Sequence, residues 1–223
     1  MRLHKFLLAA IAILSVAATA KADIVRFDFQ TGETTPDFAT GLETGPGFSG
    51  TLDGITFTAS ATSTMGTTVP NAAGTGLGVN SSVDGDQASS IDPGEILTLT
   101  VTFDPAAFSS VQLANIDLGA TGGATDGAVV ALPNGTTLTF SDEDTAPAGF
   151  TFDTNDIITV NRDTNPINLN SGDAFVFSTP VGNTGEFRVQ RISLHLDPIV
   201  VPEPSSLALL GLLGGVVGIR RRR

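Results

Sequence analysis

The sequence predicts an all-β protein: an antiparallel β-sandwich of jelly-roll type, flanked by an N-terminal signal helix and a short C-terminal hydrophobic helix. Three observations predict it. From Asp23 to Val200 the large apolar residues recur with period two, the spacing that puts alternate side chains on one face of a strand. Thr, Val, Ile and Phe fill these runs while Gly, Asn, Asp and Pro punctuate them. No stretch of this body has the 3.6-residue spacing of an amphipathic helix over a useful length. Three parts result: a signal peptide over 1–22, one sandwich domain over 23–200 and a C-terminal segment over 201–223.

The first segment ends before the fold begins. Arg2 and Lys5 form a basic start, Phe6 to Ala18 an apolar run, and Ala20-Lys21-Ala22 a small-x-small site, the three parts of a secretory signal in order. The apolar run is shorter than the roughly 20 residues a permanent span needs. Signal peptidase is therefore expected to cut between Ala22 and Asp23.

The strands follow from alternation. In Ile24 to Gln30, Val25, Phe27 and Phe29 share one face; in the next run Ile55, Phe57 and Ala59 do so. Ile96 to Phe103 sets Leu97, Leu99, Val101 and Phe103 opposite a row of threonines. Further strands are predicted at Val111 to Leu118, Ala128 to Leu132, Thr136 to Phe140, Ile157 to Val160, Ala174 to Ser178 and Glu186 to Leu196, with Asn134-Gly135 as a hairpin turn. The stretch Ser60 to Ser90 is poor in large apolar residues, which predicts a surface excursion with at most short strands and no share in the core. Nine to ten short strands suit a sandwich, with a closed barrel as the alternative.

The tail has its own logic. Pro202 and Pro204 fix φ and remove two backbone donors, so Val201-Pro202-Glu203-Pro204-Ser205-Ser206 is held extended. The 15 residues from Ser205 to Ile219, at about 1.5 Å each, reach roughly 22 Å as a helix against a bilayer core of about 30 Å. Arg220 to Arg223 hold the far end in the cytoplasm, whereas the signal peptide sends the body outside. Within the apolar segment Gly211 with Gly215 and Gly214 with Gly218 form two G-x-x-x-G pairs, a pattern that Gly-rich apolar segments also produce by chance.

Pro-Glu-Pro, a short Gly-interspersed apolar helix and a terminal Arg cluster together resemble the PEP-CTERM sorting signal of Gram-negative bacteria that make extracellular polysaccharide. The resemblance covers Val201 to Arg223. It implies that Pro202, Glu203 and Pro204 are the motif read by exosortase, a membrane transpeptidase, that Leu207 to Ile219 is a transient inner-membrane anchor, and that the protein passes to the cell surface or extracellular matrix. Gly76-Leu77-Gly78-Val79-Asn80, followed by an acidic loop and Ile91 to Leu99, is similar to a segment in bodies of the same group, where it enters a core strand of a jelly-roll module.

Composition removes whole classes of chemistry. Without cysteine there is no disulfide, thiolate nucleophile or Cys-type metal site. The body carries 4 arginines against 22 acids, a net charge of −18, so nucleic acid is not an expected partner. His195 is the sole imidazole once His4 leaves with the signal peptide; alternation turns it outward with Ser193, away from any triad. The acids are too numerous for any pair to stand out as a hydrolase pair, and a chain without Trp or Tyr lacks the rings on which sugars usually rest.

One acidic segment, Asn80 to Glu95, places Asp84, Asp86, Asp92 and Glu95 at positions one, three, nine and twelve of an EF-hand-like count. Ala88 and Ser89 occupy the fifth and sixth positions, where that loop needs an oxygen ligand and a glycine. The segment reads either as a looser Ca²⁺ site or as a plain turn at Asp92-Pro93-Gly94 before a strand. The expected function is a non-enzymatic, structural or ligand-binding surface or matrix protein, with extracellular polysaccharide as a candidate ligand. The alternative is a secreted hydrolase acting on polysaccharide through paired carboxylates.

Overall fold

The computed structural model describes residues 23–30, 48–64, 68–73, 76–81, 90–119, 127–140, 145–153, 156–182 and 184–199. Both terminal hydrophobic segments lie outside the described residues. Contacts divide the chain into the body Ala22–Asp197 and a unit of Met1–Lys21 with Pro198–Arg223; in the latter the described residues are Pro198 and Ile199. Among the described residues there are thirteen strands and no helix. They are β1 (Asp23–Asp28), β2 (Phe48–Leu52), β3 (Ile55–Ser63), β4 (Thr68–Ala73), β5 (Gly76–Ser81), β6 (Glu95–Phe103), β7 (Phe108–Gly119), β8 (Ala128–Ala131), β9 (Thr137–Phe140), β10 (Phe150–Phe152), β11 (Ile157–Val160), β12 (Ala174–Ser178) and β13 (Arg188–Pro198).

Two antiparallel sheets form the sandwich. The first runs β10-β11-β7-β13-β5-β4, with β1 also against β13; the second runs β2-β3-β6-β12-β8-β9. From β5 onward every connection crosses between sheets except the hairpins β8–β9 and β10–β11, the interleaved wiring of a jelly roll.

Alternation decides which side chains meet between the sheets. Leu97, Leu99 and Val101 of β6 are fully buried, as are Ile55, Phe57 and Ala59 of β3 and Ile192 and Leu194 of β13. Phe27 of the first sheet meets Phe57 of the second edge-on, with ring centroids 4.6 Å apart, and Phe57 lies 6.2 Å from Phe175. Phe140 of β9 and Phe152 of β10 make a second edge-on contact between the sheets at 4.8 Å. On the outer face of the second sheet, Thr56, Thr58 and Ser60 pair across strands with Thr102, Thr100 and Thr98.

The predicted strands correspond to β1, β3, β6 to β9 and β11 to β13. The Ser60 to Ser90 expectation needs correction: β5 is an interior strand between β13 and β4, and its Leu77 and Val79 are core residues at 0% and 1% exposure. Glycines alternate with these two residues, which dilutes the apolar signal. The glycine is required: Gly76 has φ +144°, and a Cβ there would approach Val189 O to 3.0 Å. Ile91 is also fully buried and bridges to Phe187.

Turn chemistry fits the connections. Asp53 and Gly54 form a two-residue loop between Leu52 and Ile55, both with positive φ (48° and 81°), as a type I′ hairpin requires. Asn134-Gly135 does turn β8 into β9, through Gly135 at φ 85° and a Leu132 N to Thr136 O bond of 2.8 Å. In β7 the consecutive residues Leu113 and Ala114 are both buried, so the inward phase shifts by one there.

If β5 belongs to the core, Leu77→Ala should cost about 2 to 5 kcal/mol in chemical denaturation, whereas Ser60→Ala on the outer face of β3 should stay within about 0.5 kcal/mol.

Candidate functional site

The polar groups gather on the outer face of the first sheet. Because Ile192, Leu194 and Leu196 point into the core, Arg191, Ser193 and His195 of β13 point out. The β1 register sets Asp28 beside Arg191, Arg26 beside Ser193 and Ile24 beside His195. On the other flank β7 contributes Asn115 and Asp117.

Arg191 is the centre of this row. Its Nε and Nη2 both donate to Asp28 Oδ2, at 3.0 and 2.8 Å, and its Nη1 donates to Asp117 Oδ2 at 3.4 Å. Asp28 Oδ1 accepts the Gln30 N–H at 3.0 Å. One guanidinium thus fastens three adjacent strands, β1, β13 and β7, through carboxylates only 7% and 12% exposed.

The turn from β10 to β11 adds charge of one sign. Leu118 N donates to Asp156 O at 3.0 Å, which ties this turn to the end of β7, and Asp153 Oδ1 accepts the Ile157 N–H at 3.0 Å. Asp156 itself has φ 63°. Burial pushes the Asp117 carboxyl up to about 6; Arg191 pulls it down, and Asp28, Asp153 and Asp156 each push it further up. Desolvation outweighs the ion pair because Arg191 is shared with a second carboxylate.

Farther along β7, Gln112 accepts from Arg162 Nε at 2.9 Å and donates to Asn168 Oδ1 at 2.8 Å. His195 is half-buried rather than solvent-facing, and Ser193 is buried at 1% exposure. Burial holds the imidazole below its ordinary 6.5, Arg162 adds to the depression and Asp197 opposes it. Ser193 and His195 lie two residues apart on one strand and make no hydrogen bond to each other, as a serine–histidine couple requires. Ser193 Oγ and Asn115 Oδ1 are buried with no hydrogen-bond partner among the described residues. Among those residues, no group of three or more His, Asp or Glu side chains is placed to hold a metal ion.

Of the calcium set, Asp92 and Glu95 are described, and Asp84 and Asp86 lie outside the described residues. Glu95 is buried at 2% exposure. Its Oε2 accepts the Asp92 N–H at 2.9 Å while its own N–H donates to Asp92 O at 3.0 Å. Pro93 and Gly94, the latter at φ 90°, fill the central positions of a type II turn that Thr64 N, just past the end of β3, holds through Gly94 O at 3.1 Å. This is the turn before the strand, and it uses Glu95 as a fastening. Sequence reasoning missed the Asp28–Arg191–Asp117 cluster, because its members lie as far as 163 residues apart.

Asp23 is the first residue of β1, while Ala22, Pro202, Glu203 and Pro204 lie outside the described residues. Among the described residues no helix is long and apolar enough to cross a membrane; the predicted anchor Leu207 to Ile219 lies outside them. Fold and sequence together define an acidic all-β sandwich set between two hydrophobic segments. A family model described as the PEP-CTERM protein-sorting motif matches residues 200–223, so the chain carries that sorting motif. The motif supports an exported, transiently membrane-anchored protein with exosortase as its processing partner. No curated protein and no solved structure matches the chain.

Asp117 gives a signed pH test. Its carboxyl titrates near 3.8 when unfolded and near 6 when folded, so the stability it contributes is fully present below about pH 3.8 and lost as pH rises through about 6. Asp117→Asn, which keeps an acceptor for Arg191 without the charge, should therefore raise the urea midpoint at pH 7.5. That gain should shrink on acidification and vanish near pH 4; an equal difference at both pH values would contradict the assignment.

Proposed function

We propose that this chain is an exported surface or extracellular-matrix protein of a Gram-negative bacterium, delivered through signal peptidase and exosortase, with a structural or ligand-binding rather than catalytic sandwich. The observation that carries the reading is the PEP-CTERM motif over 200–223. A secretory signal pattern at the other end and a body of net charge −18 agree with an exported, soluble body.

Extracellular polysaccharide is the ligand class we favour. What supports it is the outer face of the second sheet, where the outward positions Thr56, Thr58, Ser60, Thr62, Thr98, Thr100 and Thr102 offer hydroxyls that both donate and accept. Among the described residues those outward positions carry no charge, so an uncharged polyhydroxyl chain meets no carboxylate there. The hydrolase reading draws on Asp117, a carboxyl raised to about 6, but that carboxylate is bound to Arg191 in a strand-fastening pair.

Processing is the direct test. Glu203→Ala keeps the apolar segment and the four arginines, so anchoring should survive while cleavage fails. In an exosortase-bearing host, mass analysis of membrane and extracellular fractions should show the original chain losing its C-terminal segment and the variant accumulating uncut in the membrane. If both stay uncut, or both are released alike, the segment is only an anchor.

A further inference from the structure

Pairing in the first sheet begins at the first residue after the expected signal cut. Asp23 lies opposite Leu196, and the ladder continues without a break to Asp28 opposite Arg191. No spacer separates the expected scissile bond from the strand. A peptidase needs its substrate extended and unpaired on both sides of the bond, so a docked β1 withholds the residues on the carboxyl side of the cut.

The docked strand is strongly held. Val25, Phe27 and Phe29 are buried at 4%, 0% and 0% exposure, Phe29 N donates to Gln190 O at 2.8 Å, and Asp28 is bound by the Arg191 fork. Opening β1 exposes all three side chains and breaks that ion pair, so the open fraction is small. Among the described strands, the ladder partner of β1 is β13. This is the last strand of the body, so during export β1 has nothing to pair with until residues 191–196 have also emerged. The interval is about 160 residues of chain.

From this geometry we infer an order of events: cleavage between Ala22 and Asp23 precedes the docking of β1 on β13, and a body that closes with its signal segment still attached resists signal peptidase. The inference rests on the export reading above and adds a kinetic constraint to it. The far end differs in sequence: three residues, 199 to 201, stand between the end of β13 and Pro202.

The experiment uses the full-length precursor, accumulated with signal peptidase inhibited, purified in detergent and shown by hydrogen exchange to have protected amides in β1. Three chains are compared under identical conditions: the original, one with Gly-Ser-Gly-Ser-Gly-Ser inserted after Ala22, and one with the same insert after Ile199. Purified signal peptidase should cut the first insertion chain at least tenfold faster than the original, and the second at the original's rate. A Phe27→Asp precursor, in which β1 cannot seat its inner face, should also be cut at least tenfold faster. Equal rates for the original and the Ala22 insertion would overturn the inference. A peptide of residues 1–30 that is not cut at all would overturn the reading of the signal segment itself, and the inference with it.

Discussion

The first strand of the body has the last strand to lie against, and the first sheet is finished only when the two meet. β13 is an interior strand, bounded on one side by β7 and on the other by β1 and β5. The two faces of this junction are held by different physics. Inside, Val25 and Phe27 join Ile192, Leu194 and Leu196 in the apolar core. Outside, Arg191 reaches one carboxylate on β1 and one on β7. Such long-range closure carries a high loop-closure cost before it yields contacts.

A chain with so few cations uses them within the fold. Arg191 fastens three strands, Arg162 donates to Gln112, and Arg188 reaches Glu186 at 3.5 Å and Ser90 at 3.4 Å. The remaining body arginine, Arg26, is exposed on β1. The core avoids the matching problem by containing Phe where other sandwiches carry Tyr or Trp: the seven phenylalanines that are fully buried bring no polar atom that needs a partner.

How much of this was legible depended on local signal. β6 was readable because Leu97, Leu99 and Val101 alternate with threonines, and β11 and β12 because their apolar runs are bounded by turn residues. β5 was not, since Gly76 and Gly78 occupy the positions between Leu77 and Val79 and lower the apolar content of the window. The hairpin of β2 and β3 went unread although Asp53-Gly54 is a strong two-residue turn signal, because β2, Phe48-Ser49-Gly50-Thr51-Leu52, is too short and too polar to show alternation. For the candidate sites the division is sharper. The sorting motif is contiguous and was read directly; the Arg191 cluster is assembled by sheet register across most of the body, and no sequence window contains it.

The interior position of β13 also decides how the body bears load. Whatever pulls on the protein through residue 199 pulls along the axis of a strand that is hydrogen-bonded on both flanks. Antiparallel ladder bonds lie across that axis, so they are strained together in shear instead of being unzipped one at a time. A body tethered at that end is gripped by the middle of its sheet, whereas the same force applied to an edge strand such as β4 would peel it away.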